Sequence, residues 1–138
     1  MLIIDTSALI AIFRLEPEAD SFLKVIVRAN ARAMSALSVL EASMVMSGRS
    51  SDASAFEPLD AFLLEGHIEI APFDAAQAKL AREAFLRFGK GRHKAALNLG
   101  DCASYALAKS RQAPLLYKGD DFRRTDIIAA LSAVTVSL

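Results

Sequence analysis

The sequence is poor in cysteine and has no long apolar run, and both absences exclude whole classes of protein. Cys102 is the only cysteine among 138 residues, so no disulfide can form within the chain, which suits a reducing compartment. No apolar stretch approaches the roughly 20 residues that a membrane-spanning helix needs. The N-terminus, Met-Leu-Ile-Ile-Asp, also lacks the basic start and the apolar core of a secretory signal. We therefore expect a cytoplasmic protein with no membrane partner.

Net charge is also missing, because 16 lysines and arginines balance 16 aspartates and glutamates. A protein that coats DNA is usually strongly basic, so this balance counts against such a role, but not against an enzyme that binds a few nucleotides and releases them. The chain contains no GxGxxG, P-loop or CxxC motif, so nothing supports a nucleotide-cofactor or zinc protein. With 54% apolar residues, the chain (residues 1–138) suits one globular domain.

Short apolar segments alternate with longer segments of helical periodicity along the whole chain. Strands are predicted at residues 2–5, 32–35, 68–70, 114–117 and 133–138. Helices are predicted at residues 7–13, 18–30, 37–46, 56–64, 75–88 and 101–110. This alternation predicts an α/β fold with a mainly parallel central sheet and helices on both faces.

Acidic residues follow the predicted strands at corresponding ends. Asp5 stands directly after the first strand, and Asp120 and Asp121 follow the fourth strand after a short turn. Asp101 begins a predicted helix. Because ligands of open parallel α/β folds collect beyond the carboxyl ends of the strands, we expect these acids to converge on one site.

Glu41 is the most informative of the acids because it lies inside an apolar helix. Leu37 and Val45 flank it one turn away on either side, so its carboxylate is expected on or beside a buried face. A buried carboxylate costs several kcal/mol unless something pairs with it, and no lysine or arginine lies on that helix. Four carboxylates without histidine or cysteine suit Mg²⁺ or Mn²⁺ rather than zinc.

Each acid also has an ordinary explanation when it is taken alone. Asp5 can be a turn residue, Asp101 a helix N-cap, and Glu41 a side chain that reaches the surface from the rim of its helix. Asp120 and Asp121 can form a solvated turn. Separate explanations of this kind do not account for the shared location of the acids, which all fall at matching ends of one inferred sheet.

Four short motifs in this order resemble those of the PIN-domain ribonucleases, and in particular the VapC toxins of VapBC toxin–antitoxin pairs. The motifs are IIDTSAL at residues 3–9, SVLEA at 38–42, LGDCASYALA at 99–108 and LLYKGDDF at 115–122, which Thr125-Asp126 follows. The resemblance implies a parallel sheet with helices on both sides, Mg²⁺ or Mn²⁺, and endonucleolytic cleavage of RNA. It also implies a homodimer and a cognate antitoxin whose tail can occupy the active-site groove.

The resemblance assigns roles to the acids. Asp5 and Asp101 are expected to hold a first metal ion, while Glu41 and Asp121 complete the site directly or through water. Asp121 is preferred as the fourth acid because it directly precedes a phenylalanine, as in the family's Asp-Phe pair, and Asp120 is the alternative.

Residues next to the acids have weaker predicted roles. Ser7 is expected to hydrogen-bond a metal-bound water or the phosphate of the substrate. Many family members carry serine or threonine before the last acid, where this chain has Tyr117 and Lys118.

RNA contacts are predicted for the basic stretch before the third motif, which contains Arg87, Lys90, Arg92 and Lys94. The alternative is a solvated loop without a binding role. The apolar segments at residues 8–13 and 22–27 are predicted to offer a surface to the antitoxin.

Two other functions remain as alternatives. A PIN fold without catalysis would serve as an interaction module. A phosphotransfer enzyme of the haloacid-dehalogenase type is the other, but it requires a second aspartate two residues after the one that follows its first strand. In this chain, Ser7 occupies that position after Asp5.

Overall fold

The structure is a computed structural model that describes residues 1–131, and a four-stranded parallel sheet lies at the centre of that part of the chain. Its strands are β1 (Leu2–Ile4), β2 (Arg32–Ser35), β3 (Ile68–Ala71) and β4 (Leu115–Leu116), in the spatial order β3-β2-β1-β4. The predicted parallel sheet is thus confirmed. The strand predicted at residues 133–138 lies outside the described residues.

Six α-helices connect and flank these strands within residues 1–131. They are α1 (Thr6–Phe13), α2 (Ala19–Arg28), α3 (Ala36–Ser47), α4 (Glu57–Glu65), α5 (Ala75–Phe88) and α6 (Leu99–Arg111). Short 3₁₀ turns span Ala53–Phe56 and Asp121–Arg124. In this part of the chain, no helix combines the length and the apolar character that crossing a bilayer requires.

The sheet has a separate apolar core on each face, because consecutive strand residues point to opposite sides. Leu2 and Ile4 of β1 pack into the core that α1 to α4 cover, whereas Ile3 packs with α5 and α6. Helices therefore cover both faces, as predicted. Burial of one such aliphatic side chain stabilises the fold by about 1.5–3 kcal/mol. Because β1 buries side chains in both cores, it connects the two helical layers.

Two apolar helix faces lie differently from the predictions. The segment 8–12 of α1 and Phe22 of α2, predicted to offer a surface to a partner, belong to the core. A helix that is apolar on every side is buried rather than displayed, which explains α1. In α3, by contrast, Ser38 and Ala42 face the interior, so Val45 is 42% exposed instead of buried.

A polar cluster, which we call the clasp, connects α5, α6 and the chain beyond the second 3₁₀ turn. Asp126 accepts hydrogen bonds from the Tyr105 hydroxyl (2.7 Å) and from Lys109 Nζ (3.0 Å). Arg87 lies 3.6 Å from the same carboxylate and donates a long hydrogen bond to the Tyr105 hydroxyl. Burial and the bond to Asp126 raise the pKa of Tyr105 to about 12, so the hydroxyl stays protonated and donates.

Candidate active site

A polar pocket of about 280 Å³ opens where the chain leaves β1 and β4. The strand order reverses between these two strands, because β2 and β3 continue on one side of β1 and β4 lies on the other. This is the place where open α/β sheets bind their ligands. The polar side chains that line the pocket include those of Asp5, Ser7, Glu41, Asp101, Lys118 and Asp121.

Asp5 occupies the floor of this pocket and is 3% exposed. It is the N-cap of α1, and one carboxylate oxygen accepts hydrogen bonds from the Ser7 amide (3.0 Å) and hydroxyl (2.6 Å). The other oxygen accepts a 2.5 Å bond from the buried Ser104 hydroxyl. Burial raises the pKa of Asp5, and these donors act against that rise by stabilising the charged form.

The hydroxyl of Ser104 continues into a buried polar chain between helices. It lies 3.2 Å from the Ser38 hydroxyl, and the Ser38 carbonyl accepts a 3.0 Å hydrogen bond from Thr6. Ser38 and Ser104 have no solvent exposure. Buried hydroxyls need partners, so this chain ties α1, α3 and α6 together around Asp5 and restricts the direction of its carboxylate.

Glu41 reaches the pocket across the start of α6. Its carboxylate lies against the Cα of Gly100, where an added Cβ would be only 2.6 Å from Glu41 Cδ. A Cβ at this position would push the flexible Glu41 side chain away, so glycine allows the carboxylate to lie beside Asp101. The side chain is half-buried, and the α3 position that was predicted from the sequence does bring it to the other acids.

Asp101 is the third residue of α6 rather than its first, which corrects the predicted helix start. Asn98 is the N-cap: its side chain accepts from the Asp101 amide (2.9 Å), and the Asp101 carboxylate accepts from the Asn98 amide (3.0 Å). Helix formation therefore begins earlier, with this reciprocal capping box. Burial raises the pKa of Asp101 to about 7, and the negative charges of Asp5, Asp121 and Glu41 act in the same direction.

The two consecutive aspartates after β4 have different surroundings. Asp121 is exposed but lines the pocket, and it is the first residue of a 3₁₀ turn. Asp120 does not line the pocket, and its carboxylate accepts a 2.9 Å hydrogen bond from Arg123. The geometry thus separates the preferred fourth acid from the alternative one.

The basic residues predicted to contact RNA do not line this pocket. Arg87 belongs to the clasp, and the Arg92 guanidinium lies over the Phe85 ring at 5.1 Å from its centroid. Lys90 lines a different, apolar pocket, and the Lys94 carbonyl accepts a bond from Arg124. Instead, Lys118 is the cationic side chain that lines the acidic pocket.

The donor set of the pocket fits a hard cation. Its carboxylates offer oxygen ligands only, and the raised pKa of Asp101 reflects negative charge that a cation would offset. Within residues 1–131, however, no three acidic, histidine or cysteine side chains lie close enough together to hold an ion as they stand. Several carboxylate oxygens are engaged by Ser7, Ser104 and Asn98, so an ion would have to draw Glu41 or Asp121 inward.

Sequence reasoning missed three residues of this site. Asn98 had a readable signal, because an asparagine three residues before an acid and ahead of an apolar run is a capping box. In the sequence, Lys118 differs from the serine or threonine that many family members carry before the last acid, but nothing there indicates a role for it. Ser104 had no readable signal, because a serine within a helix shows its partner only once the helix is packed.

Comparisons with known proteins identify the fold and the family. The PIN domain family profile matches residues 2–128. A protein named Ribonuclease VapC from Mycolicibacterium smegmatis is 45% identical over 128 residues, covering 93% of this chain and 98% of the relative.

Two solved structures are similar in fold. The Mycobacterium tuberculosis VapC20, described as a Sarcin-Ricin loop cleaving toxin, has a TM-score of 0.73 at 14% identity and covers 93% of this chain and 97% of its own. A toxin–antitoxin complex from Klebsiella pneumoniae has a TM-score of 0.67 at 20% identity, covering 91% and 93%. With the match to nearly the whole chain, the acids of all four motifs and the parallel sheet, the chain belongs to the PIN domain family.

Proposed function

We propose that this chain is a metal-dependent endoribonuclease that acts as the toxin of a toxin–antitoxin pair. The observation that carries the proposal is the convergence of Asp5, Glu41, Asp101 and Asp121 on one pocket at the switch point of the sheet. A relative of 45% identity that is named a ribonuclease adds support. Because its RNA substrate and its partner are cellular, we propose that the protein works in the cytoplasm.

Asp5 and Asp101 would hold Mg²⁺ or Mn²⁺, with Glu41 and Asp121 completing the site. When bound, such an ion lowers the pKa of a coordinated water and offsets the charge that develops at a phosphodiester. The chain contributes positioning: Ser104 and Ser7 fix the two oxygens of Asp5, and the capping box fixes Asp101 on a rigid helix.

The neighbouring aspartates after β4 provide a matched test of the active site. In a cleavage assay on bacterial RNA with Mg²⁺, Asp121→Asn is expected to lose activity by two orders of magnitude or more, as is typical when a catalytic group is removed. Asp120→Asn, which alters an exposed pair with Arg123, is expected to cleave like the wild type. EDTA should stop cleavage, and Mn²⁺ should restore it. Undiminished cleavage in EDTA would rule out the metal nuclease and favour a metal-independent mechanism.

The toxin role predicts an effect on growth. Expression of the wild-type chain alone in bacteria is expected to arrest growth, whereas co-expression of its cognate antitoxin should restore it. Asp101→Asn provides the inactive control, since asparagine keeps the hydrogen-bond acceptor of the capping box. Equal growth of wild type and control under strong expression would contradict the toxin role, even if RNA cleavage is found in vitro.

A homodimer is part of the proposal, and exposed apolar side chains next to the pocket support it. Leu40 is 55% exposed, Met44 65% and Leu99 74%, and all three line one apolar groove. Contiguous exposed apolar surface of this kind commonly marks an interface. Light scattering after gel filtration should give a dimer for the wild type and a monomer for Met44→Glu. A wild-type monomer at high concentration would refute this part.

A further inference from the structure

Lys118 occupies a special position at the entrance of the acidic pocket. It follows β4 after one residue, and its amide donates a 2.9 Å hydrogen bond to the Ser7 hydroxyl, which itself donates to Asp5. The backbone of Lys118 is thereby fixed relative to the first acid. Lys118 lines the pocket and its side chain is 39% exposed, while its ammonium group is paired with glutamates that lie outside the pocket lining.

Two glutamates from the connection between α1 and α2 hold this side chain. Lys118 Nζ is paired with Glu16, and it lies 2.9 Å from Glu18 Oε2. The Glu18 oxygen is buried and has no hydrogen-bond partner, so the ion pair with Lys118 is the contact that offsets its charge. An ammonium group has three donors, and this arrangement leaves donor capacity that is not directed at either glutamate.

Electrostatics makes a cation at this place useful. Four carboxylates line the pocket and repel an incoming phosphate. Among the described residues that line it, Lys118 is the one with a positively charged side chain. The four-carbon stem of lysine is flexible, so its ammonium can move while its backbone stays fixed. Glu16 and Glu18 compete with any phosphate for that charge.

We propose that Lys118 binds a phosphate of the RNA substrate, and that Glu16 and Glu18 hold its side chain at the rim until the phosphate displaces them. The inference rests on the proposed ribonuclease function and adds a substrate-binding residue with its own restraint. A purely structural ion pair that fastens the α1–α2 connection is the competing explanation. The structural explanation predicts that neutralising the glutamates changes RNA binding equally with and without Lys118, whereas the proposal predicts a larger gain when Lys118 is present.

Binding of RNA separates the explanations. In a cleavage-deficient Asp101→Asn background, the affinity for fluorescein-labelled single-stranded RNA of random sequence is measured across a salt series. Lys118→Met is expected to flatten the salt slope by about 0.7, the value for one phosphate contact on a single strand, and to weaken binding about fourfold at physiological salt. The double substitution Glu16→Gln with Glu18→Gln is expected to tighten binding by at least about threefold, because the lysine is released.

Controls isolate the charge from the fold. Lys118→Arg keeps the positive charge and should retain the slope, and Lys24→Met, at an exposed lysine of α2, should bind like the parent. An unchanged slope in Lys118→Met would overturn the proposal, as would weaker binding in the double glutamate variant. If the parent binds no RNA and the wild type cleaves none, the ribonuclease function itself fails and this inference fails with it. If Lys118→Met does not fold, Lys118→Gln replaces it, both for the salt slope and for comparing the glutamate effect with and without the lysine.

Discussion

Asp101→Asn is expected to stabilise the metal-free protein at pH 8 while it abolishes RNA cleavage. Asparagine keeps the acceptor that satisfies the Asn98 amide, so the capping box survives. The substitution removes a charge that is half-buried and surrounded by the negative charges of Asp5, Asp121 and Glu41. Catalysis and stability are therefore predicted to move in opposite directions.

The magnitude follows from the raised pKa of Asp101. Burial and like charges raise its pKa from 3.8 to about 7, and each unit corresponds to about 1.4 kcal/mol, which gives a ceiling of about 4 kcal/mol. The carboxyl is partly exposed, so solvent screens its repulsion by the three neighbouring acids. We therefore expect Asp101→Asn to raise the free energy of unfolding at pH 8 by about half of that ceiling, roughly 2 kcal/mol. Because the folded-state pKa is raised, the wild type has its full stability below pH 3.8 and loses this amount as pH rises through 7, so the advantage of Asp101→Asn is expected only at the higher pH.

Urea unfolding in EDTA at pH 5 and at pH 8 measures the effect. The wild type should lose stability between these pH values, Asp101→Asn should lose markedly less, and Mg²⁺ should restore the wild type at pH 8. Asp74→Asn is the matched control, because Asp74 also caps a helix but is exposed. The reasoning is refuted if Asp101→Asn is no more stable than the wild type at pH 8, or if Asp74→Asn gains as much.

Three further substitutions test the packing of the site and of the clasp. Gly100→Ala should displace the Glu41 carboxylate and lower kcat/KM for RNA on the order of 100-fold; wild-type kinetics would contradict the close approach. Ser104→Ala leaves a buried oxygen of Asp5 without its donor and should cost about 1–3 kcal/mol in urea unfolding, so an unchanged midpoint would count against the bond. Tyr105→Phe removes one hydroxyl from the clasp and should lower stability by about 1 kcal/mol in thermal unfolding, with cleavage unaffected.

Hydrophobic periodicity carried most of the fold prediction. The predicted strand at residues 32–35 and helix at 75–88 have the boundaries that the structure gives them, because short buried strands and amphipathic helices have distinct spacing. The alternation of the two element types was enough to predict a parallel sheet with covered faces. Asp5 and Asp121 were located near the site by the same logic, since both follow strands that point the same way.

The burial of an apolar helix face could not be predicted in the same way. α1 and α3 are both rich in apolar residues, yet α1 lies in the core while Leu40 and Met44 of α3 are exposed. The spacing of apolar residues is the same in a helix face that packs within its own chain and in one that binds another molecule. In α3 the buried residues are instead the small ones, Ser38 and Ala42, and Ser38 contacts Thr6 of α1 and Ser104 of α6.

The basic stretch shows a second limit of local reasoning. Clustered charge in the sequence predicts RNA contacts for the basic stretch, and these contacts stay a prediction. The structure adds that Arg87 belongs to the clasp and that Arg92 lies over the Phe85 ring, so that neither lines the acidic pocket. The presence of Lys118 in the acidic pocket, by contrast, depends on packing and could not be predicted from local charge.

The two innermost acids differ in how the protein holds their carboxylates. Asp5 receives three hydrogen bonds from serine donors, which orient its carboxylate, but its burial outweighs these donors and its pKa stays raised. Asp101 receives one hydrogen bond and faces three like charges, so its ionised form remains unfavourable. The ionised form of both acids is therefore unfavourable without a counter-charge, and in the proposed site a bound cation would stabilise both. Within that proposal, Asp5 would contribute the carboxylate whose direction the serines restrict, and Asp101 the carboxylate that the other acids repel.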